Sequence, residues 1–283
     1  MGQRGDDGSE RELESGGFFE RRVALAINVD VVGIGPGNTD QITVEAIKAL
    51  RGADFFLLVT KRRETEELVE IREQILDRHV GGDWRSHTIF VQDAERGRSE
   101  DASEQAEAVA EWRAERARRF ADVLREVPSG ARVAVLAWGD PALYDSTLGV
   151  LEDVRSNGGA ELEIRVVPGI SSIQALAAGH RIGLNRVGGA VELTTGRRLA
   201  AGLPREADDV VVLLDGSCAF RDVDEEGVEL FWGAYLGTPD ELLIAGPLEE
   251  TAEEVVRVRA EAKERKGWMF DTYLLRRRAN RPR

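Results

Sequence analysis

The sequence predicts an α/β protein of two domains, with a mostly parallel sheet in the N-terminal domain and a mixed sheet in the C-terminal domain. Up to about residue 180, short apolar runs alternate with amphipathic segments, which is typical of parallel strands joined by helices. Beyond about residue 188 the apolar runs become denser and one clear helix remains. Gly- or Pro-bearing turns end apolar runs at 33–38, 138–141 and 168–172.

The domain limits follow from changes in composition along the chain. Residues 1–21 are expected to form a disordered tail, because they are too polar and Gly-rich to bury a core. The N-terminal domain is predicted over residues 22–188 and the C-terminal domain over residues 189–283.

Apolar runs and helical spacing define the elements of the N-terminal domain. The first strand is predicted at 23–32, because this run has the composition of a buried strand. The helix after it is expected to begin near Thr43, since apolar residues follow at helical spacing. Further apolar runs predict strands at 55–59, 88–91, 132–137 and 162–167. Amphipathic spacing predicts helices at 64–78, 104–127 and 148–156, a charged loop at 96–103, and a last helix from the turn at 168–172 through Ala178.

The C-terminal domain is predicted mainly from strands. Apolar runs indicate strands at 190–195, 210–214, 231–236, 242–245 and 269–275. The helix is predicted at 249–264. In parallel sheets ligands bind beyond the carboxyl ends of the strands, so the three Gly- or Pro-bearing turns are expected to lie on one rim.

Composition and charge exclude several classes of protein. Lys and Arg number 38 against 52 Asp and Glu, so the net charge of −14 repels nucleic acid. A single cysteine excludes a disulfide framework, and the three histidines lack the close spacing of a helix-borne metal site, so no metal is expected. No apolar run reaches the roughly 18 residues of a membrane span. The expected protein is therefore soluble and cytoplasmic.

Common motifs of nucleotide binding and nucleophilic catalysis fit poorly. Gly33 and Gly35 match the start of a dinucleotide fingerprint, but its third glycine is replaced by Asn38, and no phosphate-binding P-loop string occurs. Ser171 does not lie in a G-x-S-x-G elbow, because residue 173 is isoleucine.

Three residues each leave two interpretations open. Asp54 is either a ribose-binding acid or a surface residue before a strand. Cys218 is either a small apolar filler or a reactive thiol, and His180 is either a loop residue or a general base.

The remaining features indicate a site built from loops with few ionisable groups. It combines turns rich in Gly and Pro with Asp140 and the hydroxyl pair of Ser171 and Ser172. Backbone N–H and C=O groups of such turns hold a small polar ligand without charge, which suits a zwitterionic cofactor with an apolar base.

Three ordered motifs resemble a known family. The strings VVGIGPGNTDQIT, LAWGDPALYDS and VVPGISSIQALAA are similar to successive motifs of the tetrapyrrole (corrin and porphyrin) methyltransferases, and the similarity runs from about Val23 to Arg278. The resemblance implies two α/β domains with S-adenosyl-L-methionine bound in the cleft between them. It also implies S-adenosyl-L-homocysteine as a product and leaves a homodimer open, since relatives are often homodimers.

Further strings, including GHRIGLNRVG and KGWMFDTYLLRR, resemble one branch of this family. That branch is implied to methylate carbon 1 of precorrin-5 in aerobic cobalamin synthesis, releasing acetate and giving precorrin-6A. The alternatives are a sister methyltransferase acting at another ring position and a non-catalytic binding module.

The resemblance also implies which residues contact the cofactor. In the N-terminal domain they are Pro36, Trp138, Gly139, Asp140, Leu143, Ser171 and Ser172. In the C-terminal domain they are Ala234, Gly237, Asp271 and Asp215, the last at a position where relatives often carry methionine or leucine.

Methyl transfer from a sulfonium requires placement of the attacking carbon, and acetate release requires a base. Tyr144 and Asp145 are the predicted catalytic residues, with core packing and helix capping as their respective alternatives. Some relatives carry an acidic residue, proposed as a catalytic base, at the end of the second strand, but residues 59–63 of this chain contain no Asp or Glu. The predicted ligands of the substrate carboxylates are arginines, each with a solvated surface role as its alternative: Arg62, Arg63, Arg181, Arg186, Arg197 and Arg198.

Overall fold

A computed structural model describes residues 25–60, 66–94, 102–224 and 226–278, with the backbone alone at 66 and 102–106. The predicted tail at 1–21 and most of the predicted loop at 96–103 lie outside these residues.

The first sheet is formed by five strands in the first part of the chain. They are β1 (Ile27–Gly33), β2 (Phe55–Thr60), β3 (Thr88–Gln92), β4 (Arg132–Ala137) and β5 (Leu162–Val167). The helices between and after them are α1 (Val44–Arg51), α2 (Glu66–His79), α3 (Ala102–Arg125), α4 (Thr147–Ser156) and α5 (Ser172–His180).

The second sheet also contains five strands. They are β6 (Val191–Thr195), β7 (Asp209–Leu213), β8 (Val228–Ala234), β9 (Leu242–Pro247) and β10 (Asp271–Arg277). The helices of this part are α6 (Gly196–Leu199) and α7 (Leu248–Lys266).

Strand order and direction confirm the predicted fold class. The first sheet has the order β3-β2-β4-β1-β5, and all of its strand pairs are parallel. The second sheet has the order β6-β7-β10-β8-β9, in which β6 and β7 pair in parallel and the other pairs are antiparallel. β1, β4 and β5 are neighbours, so the turns that follow them leave the sheet side by side.

Burial on both faces explains the apolar composition of the first sheet. Val29, Val31 and Val32 of β1 are fully buried, with α3 and α4 packed on one face of the sheet and α1 and α2 on the other. α1 begins as predicted, because the hydroxyl of Thr43 accepts a hydrogen bond from the N–H of Ala46.

Helix α5 connects the two sheets and packs against the second one. Ile173, Ala175 and Leu176 lie in one apolar cluster with Val211 of β7 and Leu274 of β10. The predicted division at residue 188 remains a prediction, and this packing favours assigning α5 to the second sheet.

A partly buried lysine also links the two sheets. The Lys266 ammonium lies 2.7 Å from Oε1 of Glu67 on α2 and 2.5 Å from Oδ2 of Asp240. Burial acts to lower the pKa of Lys266, but the hydrogen bonds to Asp240 and Glu67 outweigh it and raise that pKa. The Trp268 indole donates to the other oxygen of Glu67, so α2 is tied to the C-terminal part of the chain.

One predicted strand end was wrong, and three short helices were not predicted. The strand predicted at 231–236 ends at Ala234, because the backbone of Tyr235 turns to a φ of 49°. α6 and two short 3₁₀ helices, at Trp84–His87 and Ala219–Asp222, occur where no element was predicted. None of the helices in the part of the chain that the structure describes has the length and hydropathy to cross a membrane.

Candidate functional site

The three turns predicted to share a rim are in direct contact. Gly35 and Gly139 pair through two backbone hydrogen bonds, of 3.2 and 2.9 Å between N and O. The N–H of Gly169 donates to Oδ2 of Asp140 at 2.8 Å. The turns after β1, β4 and β5 therefore form one surface at the carboxyl edge of the first sheet.

Close approach of the three turns requires glycine at Gly33. A Cβ at this position would lie 2.5 Å from the nitrogen of Gly169 and 2.9 Å from the carbonyl oxygen of Gly139. Both neighbours are backbone atoms, so neither can move aside without shifting its turn. The glycine pattern of the first motif thus serves the packing of the turns against each other.

This surface faces the loops of the second sheet and lies close to them. A Cβ on Gly237 would lie 3.3 Å from Cγ of Pro36, and one on Gly37 would lie 2.6 Å from the Thr238 methyl group. The rings of Trp138 and Phe270 have centroids 5.9 Å apart. The first-sheet turns therefore contact the loop after β8 and the residue before β10.

Asp140 and Ser171 are tied into the turns themselves. Besides the bond to Gly169, the Asp140 carboxylate accepts through Oδ1 from the N–H of Ala142. Ser171 caps α5 by accepting from the N–H of Ile173, and its own N–H donates to Gln174. Ser172 is half-buried. The cofactor roles of these three residues remain predictions.

Asp215 and Asp271 belong to a buried hydrogen-bond network in the C-terminal part of the chain. Asp215 accepts from the hydroxyl of Tyr273 at 2.6 Å and from the N–H of Ala219 at 2.7 Å. Asp271 accepts from the Trp232 indole and from Arg259. Arg259 also donates to the carbonyl of Asp215, so one guanidinium connects the two positions.

Burial raises the pKa of two groups in this region, Tyr273 and Cys218. Burial, followed by the hydrogen bond to Asp215, raises the pKa of the Tyr273 hydroxyl far above its usual range. Burial also raises the pKa of the Cys218 thiol, which favours the apolar-filler interpretation over a reactive thiol.

Register places Ala234 opposite Asp271 on neighbouring strands. Ala234 is fully buried, and Leu143 packs against the apolar cluster that contains Leu213 and Leu236. The cofactor roles of Ala234, Leu143 and Gly237 remain predictions.

The two predicted catalytic residues follow the rim turn of β4. Tyr144 is 46% exposed with a φ of 53°, so core packing is the wrong alternative for it. Asp145 accepts through Oδ1 from the N–H of Thr147 at 2.6 Å and so caps the start of α4. Its other oxygen makes no hydrogen bond within the described part of the chain.

The predicted substrate arginines have different surroundings. Arg62 and Arg63 lie outside the described residues. Arg186 donates to the carbonyls of Arg277 and Asp208, which gives it a structural role in the second sheet. The others are exposed, at the carboxyl end of α5 or on α6: Arg181, Arg197 and Arg198.

The positions of Asp54 and His180 do not favour a ribose-binding acid or a general base. Asp54 accepts from the N–H of Arg132, at the first residue of β4, so it lies at the sheet edge opposite the turns. His180 lies 3.0 Å through Nε2 from the carbonyl oxygen of Trp232, within the second sheet. Neither residue lies on the rim formed by the three turns.

Sequence reasoning missed Arg72 on α2. Its Nε donates to the carbonyl of Leu136, near the end of β4, and its guanidinium carbon lies 5.6 Å from the centroid of the Trp138 ring. No spacing or motif in the sequence marks this residue, because α2 reads as an ordinary amphipathic helix.

The family model described as Tetrapyrrole (Corrin/Porphyrin) Methylases matches residues 28–252, which is most of the chain. The chain belongs to the tetrapyrrole methylases. The resemblance drawn from the three ordered motifs is therefore confirmed, and the protein is a methyltransferase.

This tetrapyrrole methylase is similar to named relatives over nearly their whole length. It is 41% identical over 251 residues to a precorrin-6A synthase (deacetylating) of a Sinorhizobium species, covering 88% of this chain and 95% of that protein. It is also 36% identical in sequence to CobF, a cobalamin-synthesis-related protein of Corynebacterium diphtheriae whose crystal structure is known. The two structures have a TM-score of 0.76, and the alignment covers 89% of this chain and 98% of that one.

A more distant tetrapyrrole methylase structure shares the fold. It is a uroporphyrin-III C-methyltransferase of Thermus thermophilus in complex with S-adenosylhomocysteine, 20% identical with a TM-score of 0.55. The alignment covers 88% of this chain and 91% of that one.

Proposed function

We propose that this tetrapyrrole methylase is an S-adenosylmethionine-dependent precorrin methyltransferase of cobalamin biosynthesis that methylates carbon 1 of precorrin-5. The reaction releases acetate and gives precorrin-6A and S-adenosylhomocysteine. The observation that carries the proposal is the convergence of the turns after β1, β4 and β5 on one rim that faces the second sheet. The reaction is that of the 41% identical relative, a deacetylating precorrin-6A synthase.

The lining of the cleft suits a compact zwitterionic cofactor. The nearest carboxylate, Asp140, already accepts two backbone hydrogen bonds, so the rim presents mainly main-chain groups. Pro36, Trp138, Gly139, Leu143 and Ser172 are the residues proposed to hold the cofactor from the first sheet. Ala234 and Gly237 are proposed to contact the apolar part of the cofactor. Ser171, Asp215 and Asp271 are the remaining residues proposed for the cofactor site.

The bound cofactor supplies a methyl group that is already activated by its sulfonium charge. The chain therefore has to hold the attacking carbon in line and exclude water, and well-oriented reactions gain about 7–11 kcal/mol in this way. The contacts of Pro36 with Gly237 and of Trp138 with Phe270 keep the two sides of the cleft in a fixed relation. No protein nucleophile is needed for this step.

Acetate release places a different demand on the chain. Water must add to the ketone carbon of the acetyl group, and the bond from that carbon to the ring must then break, with the electron pair remaining on the macrocycle. A base that removes the proton of the water assists this step. Asp145 is our proposed base through its unbonded oxygen, and the half-exposed Tyr144 hydroxyl is the proposed partner of the carbonyl.

Cytoplasmic location and a homodimer are further parts of the proposal. The net charge of −14 disfavours nucleic acid as a partner.

The proposal is tested by incubating the protein with precorrin-5 and methyl-labelled S-adenosylmethionine. Mass analysis of the pigment and enzymatic assay of acetate are expected to show one label and one acetate per turnover. A labelled pigment without acetate would favour the sister methyltransferase. Binding of S-adenosylmethionine without transfer of label would favour a binding module.

A further inference from the structure

Arg72 lies beside the rim turn of β4 and has no ion-pair partner among the described residues. Arg116 of α3, by contrast, lies 3.1 Å through Nε from Oδ1 of Asp93. Among the described residues no carboxylate oxygen lies within 4.0 Å of the Arg72 guanidinium. A cation that the protein partly buries without a counter-ion is costly unless an anion joins it.

The Arg72 guanidinium is nevertheless held in a fixed position. Nε donates to the carbonyl of Leu136 at 3.3 Å, and Nη1 donates to the carbonyl of Leu68 at 2.7 Å. The guanidinium also stacks near the indole of Trp138. Nη2 has no acceptor among the described residues, and the side chain remains partly exposed. One edge of a planar, preorganised donor group is therefore free.

The electrostatic setting favours a bound anion at this edge. Burial lowers the pKa of Arg72 to about 10, although the charge of Asp145 acts in the opposite direction and that of Arg116 adds to the lowering. The group still carries its charge at neutral pH. The position is next to Trp138, the first residue of the rim turn of β4, and near the proposed base Asp145.

We infer that Arg72 binds a carboxylate side chain of the tetrapyrrole substrate and thereby fixes the macrocycle against the rim turn. The inference rests on the proposed function, because it takes the substrate to be a polycarboxylate macrocycle. Arginine suits this task, since its planar fork matches a carboxylate and stays charged. The bound carboxylate would accept from the edge of the guanidinium that has no acceptor among the described residues.

Three variants test the inference with precorrin-5 as substrate. Arg72→Met removes the charge and keeps an unbranched side chain, and Arg72→Lys keeps the charge but loses the planar fork. Arg78→Met is the matched control. Arg78 lies on the same helix as Arg72, but it is exposed and forms an ion pair with Asp40. The measurements are KM and kcat for precorrin-5, and calorimetric binding of S-adenosylhomocysteine.

Arg72→Met is expected to raise KM about tenfold to a hundredfold, with kcat within about threefold of wild type, as for loss of one charge-assisted hydrogen bond. Arg72→Lys is expected to raise KM by a smaller factor, and it carries the test if the methionine variant does not fold. Wild-type KM should also rise with salt more steeply than that of Arg72→Met. S-adenosylhomocysteine affinity and the control variant should stay at wild-type values.

Two failures are distinguishable. If wild-type protein neither methylates precorrin-5 nor releases acetate, the proposed function is wrong. If wild-type protein turns over precorrin-5 and both Arg72 variants keep its KM within twofold, the function stands and the inference about Arg72 is overturned.

Discussion

Oδ2 of Asp140 accepts a hydrogen bond of 2.8 Å from the backbone nitrogen of Gly169. The same carboxylate accepts through Oδ1 from the N–H of Ala142. One side chain therefore fixes the turn after β4 to the turn after β5. Because both turns are proposed to contact the cofactor, the geometry of the site depends on this carboxylate.

Asp140→Ala is expected to weaken binding of S-adenosylhomocysteine by about tenfold or more. The change removes two hydrogen bonds to a charged acceptor, each contributing roughly 1.5–3 kcal/mol. Part of that energy holds the two turns in the geometry that binds the ligand, so its loss lowers the affinity. Isothermal titration calorimetry measures the effect. Asp140→Asn, which keeps one carbonyl acceptor, serves as the milder comparison, and unchanged affinity in both variants would remove Asp140 from the site.

Gly33→Ala is expected to destabilise the protein by about 1–3 kcal/mol, because the new methyl group would overlap the backbone of Gly169. Urea denaturation monitored by circular dichroism measures the free energy of unfolding. Gly52→Ala is the control, since Gly52 has a φ of −92° and its Cβ would meet its nearest neighbour at 3.4 Å. Equal unfolding midpoints for the two variants would contradict the close packing of the turns.

The ends of β4 and β5 were predictable because each of these strands stops at a turn that contains Gly and Pro. β4 and β5 have the predicted bounds, and the parallel order that follows from alternation brings Gly35, Gly139 and Gly169 together. The Gly- and Pro-bearing turns therefore predicted both the strand ends and the rim of the site.

Side chains that act across long sequence distances were not predictable. Arg186 donates to the carbonyl of Arg277, 91 positions away, and nothing near it in sequence signals that partner. Asp215 likewise depends on Tyr273, 58 positions away. Arg72 has no local motif, and its significance comes only from Trp138, which the fold places beside it.

Tyr144→Phe and Asp145→Asn are expected to keep S-adenosylhomocysteine affinity while slowing acetate release by about a hundredfold, the usual scale of general acid–base catalysis. Asp145→Asn keeps a carbonyl oxygen that accepts from the N–H of Thr147, so the cap of α4 should survive. Acetate is assayed under single-turnover conditions together with methyl transfer. Wild-type acetate rates in both variants would discard the assignment of these residues.

Tyr273→Phe is expected to lower the free energy of unfolding by about 1–3 kcal/mol at neutral pH, because it deprives the buried Asp215 carboxylate of a donor. The mutation leaves the ring and its packing in place. Tyr273 packs edge-on against Phe220, so loss of the hydroxyl alone is measured.

The same pair gives a pH dependence with a defined sign. The pKa of Tyr273 is raised in the folded protein by burial and by Asp215, whereas in the unfolded chain it stays near the usual value of about 10. The unfolded state therefore loses this proton first, and the contribution of Tyr273 is fully present below about pH 10 and declines above it, by up to about 1.4 kcal/mol per pH unit. The stability difference between wild type and Tyr273→Phe should stay constant from pH 7 to 9 and shrink at pH 10 to 11. A difference that is unchanged up to pH 11 would show that the hydroxyl is not held protonated by the fold.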